Sequence, residues 1–257
     1  MQKAMHLPYW RDLLRELVAR DLKMRYQRSV LGLGWSMLKP LSQLLIFSFV
    51  FTTILPLGIP HYTSFVFTGV LVWSWLASVL GAAATSITGS PELIRKPGFP
   101  VFLLPVLTVL SNGVHFLLAL PILLVFAFVD TGFAGAPLLA LIPVMLLQAL
   151  FMLSISYFIA ASHVYFRDTQ HFVGILIMLG FYVTPVCCSP LQSGHDYAFL
   201  TQFNPMAGIL TAYRAILIDH AWPSAATFLS LLALSLPLLA AGVALFNHVS
   251  TRFAEEL

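Results

Sequence analysis

The sequence has very little charge. Only 9% of its 257 residues are Asp, Glu, Lys or Arg, and 59% are hydrophobic, whereas a soluble domain is about a quarter charged. So few charges cannot cover the surface of a domain of this size with polar groups. The composition therefore excludes a soluble globular domain and predicts an integral membrane protein.

The sequence also lacks the motifs of common nucleotide- and metal-dependent enzymes. It has no Gly-x-x-x-x-Gly-Lys-Ser/Thr phosphate loop, no His-Glu-x-x-His and no Gly-x-Ser-x-Gly. Its two cysteines, Cys187 and Cys188, are adjacent, and neighbouring cysteines bridge only with strain and cannot alone hold a metal ion. We expect no catalytic residue, no metal and no ATP hydrolysis on this chain.

Acidic residues are missing from the middle of the apolar stretches. Coupling-ion sites usually use buried carboxylates, so an ion-coupled secondary transporter is the less favoured alternative. No unit clearly repeats along the chain, which leaves the inverted repeats of many secondary transporters without support. His115 and His163, which fall within apolar stretches, are interpreted as helix-to-helix hydrogen bonders.

Basic residues are concentrated at the start of the chain. Eight of the thirteen Lys and Arg residues precede Pro40, which favours a segment that faces anionic lipid over nucleic-acid binding. Residues 9–26 place Trp10 and several leucines at helical spacing opposite charged residues. This pattern predicts an amphipathic helix in the cytoplasmic leaflet, although a helix packed on a protein partner has the same pattern. No cleavable signal is recognisable, so we expect the N-terminus to be retained.

Six apolar stretches are candidates to cross the membrane as helices. They cover residues 34–57, 64–87, 101–129, 137–165, 172–188 and 224–247. Twelve of the thirteen Lys and Arg residues lie in the leader, in the loops after the second and fourth stretches, or in the tail, and only Arg214 lies on the other side. Because positive loops stay in the cytoplasm, both termini are predicted to be cytoplasmic.

The fold class predicted is an all-α integral membrane protein with six transmembrane helices. It comprises a cytoplasmic leader (residues 1–33), a transmembrane domain (34–249) and a cytoplasmic tail (250–257).

The loop over residues 88–100 separates the second and third stretches. Ser90 can cap a helix and Pro91 can occupy its first position. The residues of this predicted short helix are Pro91, Glu92, Leu93, Ile94 and Arg95, and Pro97 ends it. Such a helix can transmit force from a partner to two spans, but a tight charged turn explains the same residues equally well.

Residues 189–222 are too polar to span a membrane. Asn204 and Pro205 are a good helix start, and Met206, Ile209, Leu210, Tyr213, Ile216 and Leu217 follow at helical spacing. The pattern predicts a short helix that dips into the outer leaflet and frames a pore mouth, or a plain interfacial helix.

Several motifs resemble one family, the membrane subunits of ATP-binding-cassette exporters of polysaccharides such as O-antigens and teichoic acids. An Arg-Asp-Leu-Lys-x-Arg-Tyr, Leu-Gly-x-x-Trp, Leu-x-Pro-Leu series is matched by residues 20–26, 31–35 and 38–41. The family's Leu-Ile-x-Lys-x-x-Phe-Pro segment is matched by Leu93, Ile94, Lys96, Phe99 and Pro100, with Ser90 in place of the usual Asn. Later matches are Arg167-Asp168, the segment from Tyr182 to Pro190, Asn204-Pro205 and Tyr213-Arg214.

The resemblance assigns roles to these residues. It implies that the loop around Leu93 and Lys96 is a coupling helix that docks in a cleft of the ATPase, and that Arg167 and Asp168 form a second cytoplasmic turn. It also implies that Asn204, Pro205, Tyr213 and Arg214 belong to an outer gate of paired re-entrant helices.

Aromatic residues are candidates to line a path for sugars, because sugar CH faces stack on aromatic rings. The spans supply Phe47, Phe51, Trp73, Trp75, Phe181 and Tyr182. The family's aromatic belts add Tyr62 and Phe65.

The resemblance implies a permease that pairs with a second copy of itself and with two ATPases that bind ATP and Mg²⁺. Its cargo would be a lipid-linked polysaccharide, moved outward across the bacterial inner membrane and surrounded by membrane lipids. The closest alternative keeps this fold and changes the cargo to a drug or a lipid.

Overall fold

The computed structural model describes residues 7–27, 32, 34–50, 53, 59–187, 203–251 and 253. These residues form helices and no strands, as the apolar sequence predicts. The α-helices are α1 (Leu7–Tyr26), α2 (Gly34–Phe49), α3 (Tyr62–Thr85), α4 (Pro91–Ile94), α5 (Leu103–Thr131), α6 (Leu141–Tyr165), α7 (Thr169–Val183), α8 (Pro205–Leu217) and α9 (Ala225–Ser250). A 3₁₀ turn at Ala136–Ala140 leads directly into α6.

Four helical segments within the described residues are long and apolar enough to cross a membrane: α3, α5, α6 with its 3₁₀ turn, and α9. The predicted second, third, fourth and last spans correspond to these helices. Pro121 lies inside α5 and Pro237 inside α9 without ending either helix. Neighbouring helices can satisfy the backbone groups that a proline frees, so both helices continue.

The two remaining apolar helices are shorter. α2 has 16 residues, and the predicted first span continues beyond it into residues 54–57, which lie outside the described residues, as does Phe51. α7 has 15 residues and ends at Val183, before the predicted end of the fifth span. Thr184 is extended (φ −90°, ψ 138°) because a residue that precedes a proline, here Pro185, is disfavoured in the helical region.

α3 lies at the centre of the bundle and packs against α2, α5, α6 and α7, while α9 packs along α6. The bundle has two ends. One end holds α4, the start of α5 and the end of α9, and we call it the α4 end. The other holds α8, the start of α3 and the end of α5, and we call it the α8 end.

α1 packs along α5. Trp10 lies against Phe102, just before α5, with ring centroids 5.0 Å apart, and Leu17 is buried. Near the other end of α1, Arg25 Nη1 donates to Asn112 Oδ1 over 3.3 Å. Phe102 and Asn112 are ten residues apart, or about 15 Å along a helix. α1 therefore runs alongside α5 over about this distance.

Candidate functional site

A cavity of about 670 Å³ lies between α1, α2, α3, α5 and α7. Five of the aromatic residues predicted to line a path are in its wall: Phe47, Trp73, Trp75, Phe181 and Tyr182. The ring of Phe181 on α7 contacts rings on two other helices. Phe47 and Phe181 stack with centroids 6.1 Å apart, and Trp73 meets Phe181 edge-on at 6.0 Å.

The wall also contains residues that the sequence did not single out for a path. Trp35 and Phe116 add aromatic surface, and Phe116 stacks on Trp75 with centroids 4.6 Å apart. The polar lining residues are Arg25, Gln43, Ser74, Ser78, Asn112 and His115. Ser74 and Ser78 are four residues apart on α3, so they share one face of that helix. This spacing is the feature of the sequence that could have identified them as lining residues.

The cavity combines flat aromatic faces with a few hydroxyl, amide and charged groups. Its volume is within the range of ligand sites, about 300–1,000 Å³. Aromatic faces suit the CH surfaces of sugars, and hydroxyl or amide groups can replace some of the hydrogen bonds that sugar hydroxyls make with water. The lining can therefore hold a ligand that is both apolar and polar.

Tyr62 and Phe65, the two other predicted path residues, lie at the α8 end instead of in this cavity. Their rings stack with centroids 6.5 Å apart. The Tyr62 hydroxyl donates to the Cys187 carbonyl over 3.3 Å. Phe65 lies directly under Arg214, whose guanidinium carbon is 3.4 Å from the ring centroid.

Arg214 on α8 is buried and holds the chain that follows α7. Its Nη1 donates to the Pro185 carbonyl and its Nη2 to the Val186 carbonyl, each over 2.7 Å. Nη2 also donates to the Phe65 carbonyl over 3.3 Å. We call Arg214, Phe65 and residues 185–186 the arginine clamp, because together they join α8, α3 and the end of α7.

A helix begins at Pro205, as predicted, and Asn204 caps it. Asn204 Oδ1 accepts from the Met206 amide over 3.0 Å, and its Nδ2 donates to Thr184 Oγ1 over 2.8 Å. The six apolar residues predicted at helical spacing on α8 are all buried. In the interior, the Tyr213 hydroxyl donates to Gln148 Oε1 over 2.9 Å, and Gln148 Nε2 donates to the Val72 carbonyl over 3.1 Å.

The predicted short helix in residues 88–100 is present as α4, a single turn with Pro91 at its start. The predicted cap is wrong, because the Ser90 side chain makes no capping hydrogen bond. Ser90 has φ −130° and ψ 45°, whereas a capping residue adopts the extended region. The loop is held by backbone bonds instead, such as that from the Ile94 amide to the Ser90 carbonyl at 3.3 Å.

The side chains of this loop divide into two sets. Leu93, Ile94 and Phe99 are partly buried and pack against an apolar cluster at the α4 end that includes Tyr157, Phe246 and Phe253. Glu92, Arg95 and Lys96 are exposed. Arg167 and Asp168, at the start of α7, are exposed as well.

The long apolar helices and the cavity between them define a multi-pass membrane protein that encloses space for a ligand. A family model described as ABC-2 type transporter matches residues 12–218. The chain belongs to this family, as the resemblance of its motifs implied.

Curated relatives extend over nearly the whole chain. One from Myxococcus xanthus, named O-antigen export system permease protein RfbA, is 35% identical over 250 residues, 96% of each chain. Two from Klebsiella pneumoniae with the same name are 32% and 31% identical over 98% of this chain and 97% of the relative.

Proposed function

We propose that the chain is the membrane subunit of an ATP-driven exporter that moves a lipid-linked, O-antigen-like polysaccharide outward across the bacterial inner membrane. The observation that carries the proposal is the cavity, where aromatic rings from α2, α3 and α7 face hydroxyl and amide groups. The names of relatives that cover nearly the whole chain support the same cargo.

The proposed topology has six spans, in which α2 and α7 with their neighbouring segments cross the membrane beside the four longer helices. The α4 end faces the cytoplasm together with both termini. The exposed Arg95, Lys96 and Arg167 support this orientation, because positive loops are retained inside.

Two copies of the chain work with two ATPases in this proposal, and ATP and Mg²⁺ bind to the ATPases. The loop around α4 transmits their movement. Its apolar residues are anchored in the chain's own bundle while its charged residues point outward, so a partner that grips the exposed charges would move the start of α5 with the loop. The permease itself makes and breaks no bond.

Deletion of the gene tests the cargo. In the host bacterium, loss of this chain should abolish surface polysaccharide and leave its lipid-linked form inside the cell, and a plasmid copy should restore export. A Trp73→Ala, Phe181→Ala double variant removes two aromatic rings from the cavity wall and should restore little surface polysaccharide. The control is Trp222→Ala, which removes an exposed tryptophan outside the cavity. Normal surface polysaccharide in the deletion strain would refute the cargo.

The alternatives predict other results. A drug or lipid exporter would leave surface polysaccharide unchanged in the deletion strain. An ion-coupled transporter would lose activity in proteoliposomes when an ionophore collapses the ion gradient, whereas the proposed exporter continues under those conditions and stops without ATP and its ATPase.

A further inference from the structure

Arg25 reaches into the bundle and lines the cavity. Its Nε lies 2.9 Å from Asp21 Oδ2, one turn earlier on α1, and its Nη1 donates to Asn112 Oδ1 on α5. Asn112 is ten residues along the chain from Phe102 at the α4 end, or about 15 Å of helix. The guanidinium therefore lies far from the end of the bundle at which α5 begins.

The surroundings of Arg25 in the cavity are basic or neutral. His115, three residues after Asn112 on α5, is in the same wall, and Ser74 and Ser78 face the cavity from α3. No Asp or Glu is among the described residues that line the cavity. Asp21, the ion-pair partner of Arg25, lies outside this lining.

In the proposed topology the cavity lies within the membrane. A charged side chain there is costly, and such residues usually bind a substrate or take part in its path. A guanidinium has five N–H donors in a planar fork that fits carboxylate and phosphate groups. The Asp21 and Asn112 contacts use Nε and Nη1, the side chain is 36% exposed, and Arg25 lines the cavity. The fork can therefore bind a further anion without leaving Asn112.

We propose that Arg25, beside His115, binds an anionic group of the cargo inside the cavity. The group is a phosphate or a carboxylate, supplied either by the lipid linkage or by an acidic sugar. The identity of the cargo rests on the proposed function, but anion binding at Arg25 is a property of this chain that can be measured without transport.

The experiment uses the full chain in nanodiscs of phosphatidylcholine, which has no net charge to compete. Tryptophan fluorescence reports binding, because Trp35, Trp73 and Trp75 line the cavity. Farnesyl diphosphate is compared with farnesol, and a glucuronic acid disaccharide with its glucose counterpart. The charged member of each pair carries an anionic group, a diphosphate or a carboxylate, that its neutral counterpart lacks. We expect at least one anion to bind about tenfold more tightly than its neutral counterpart, and the pair that shows the difference identifies the source.

Variants separate anion binding from a purely structural contact. Arg25→Gln should abolish the preference for the anion, and Arg25→Lys should keep part of it. Arg11→Gln, an exposed arginine at the other end of α1, is the matched control.

Equal binding of both members of each pair by the unaltered chain would overturn the proposal, whether or not any variant folds. So would a preference that survives in Arg25→Gln, or one that Arg11→Gln removes as completely as Arg25→Gln. Anion binding by a chain whose deletion leaves polysaccharide export intact would keep this inference and refute the proposed function.

Discussion

Arg214 shows how one side chain can position three helices. A buried guanidinium must find hydrogen-bond acceptors, since burial without them is costly. The Pro185 and Val186 carbonyls can accept from it because they lie beyond the end of α7, outside its backbone hydrogen bonds. The Phe65 ring adds a favourable face beneath the cation. The arginine clamp thus satisfies the charge and fixes the end of α7 on α3 and α8.

Gly69 provides the space for this clamp, which gives a prediction for stability. A methyl group at Gly69 would lie 2.5 Å from the Val186 carbonyl oxygen and 2.9 Å from Arg214 Nη2. We expect Gly69→Ala to lower the free energy of unfolding by about 1–3 kcal/mol through overpacking. Thermal unfolding of the variant and the unaltered chain in detergent measures this loss of stability.

Gly81→Ala is the control for this prediction. Gly81 is also on α3, but nothing lies within 4 Å of the methyl group it would gain. Because alanine has a better helix propensity than glycine, the free energy of unfolding of Gly81→Ala should stay unchanged or rise by up to about 1 kcal/mol. Similar melting temperatures for the two variants would contradict the role of the clamp.

Ser90 and Asn204 show what a local motif can and cannot predict. Each precedes a proline that begins a helix, and the sequence predicted a cap at Ser90 and a helix start at Asn204. Asn204 is extended (φ −90°, ψ 110°) and caps α8, whereas Ser90 has ψ 45° and does not cap α4. Ser90 lies in the turn that follows α3, where its amide donates to the Ile87 carbonyl over 3.0 Å. The Ser-Pro pair alone does not encode this contact.

At the scale of helices, the apolar side chains of the loop around α4 pack on the bundle, and its charged side chains are exposed. Leu93 and Ile94 pack on the chain's own apolar cluster, so replacing them with charged residues would disturb the bundle as well as any partner. The exposed Arg95 and Lys96 offer a cleaner test of coupling. Exposed charges at the edge of an interface affect association with a partner more than they affect the fold.

We predict that Arg95→Glu combined with Lys96→Glu weakens association with the ATPase about tenfold or more, because it reverses two charges at the proposed contact. Co-purification of the ATPase with the tagged chain measures this, and the melting temperature of the chain should stay the same. The control, Arg11→Glu with Lys23→Glu, reverses two charges on exposed residues of α1. Equal recovery of the ATPase with both double variants would argue against coupling through α4.

The helices themselves were largely predictable, and their arrangement was not. Long apolar runs located α3, α5, α6 and α9, because about twenty apolar residues are needed to cross a membrane. The path of α1 depends on the contact between Arg25 and Asn112, which are 87 residues apart. Periodicity within α1 shows that it has an apolar face and cannot show what covers it. For the same reason, five cavity aromatics were anticipated while Arg25, Ser74 and His115 were not.

For the whole molecule, the exposed face of α7 is where a second copy would bind. Val173 is the one described residue of this helix that is buried. Met178 and Tyr182 line the cavity and are also largely exposed, so the cavity opens beside α7. Lipid can cover apolar side chains, but a second copy placed here would close the cavity into a path between two chains.

Cysteine cross-linking in native membranes tests this arrangement. In a chain whose Cys187 and Cys188 are replaced by Ala, we predict that Met178→Cys forms disulfide-linked dimers on mild oxidation, because disulfides require Cβ atoms about 3.5–4.5 Å apart. Leu146→Cys, on an equally exposed face of α6, should stay monomeric. Dimers through position 146, with none through 178 or the neighbouring exposed positions 175 and 182, would place the second copy on α6 and leave the cavity open to lipid.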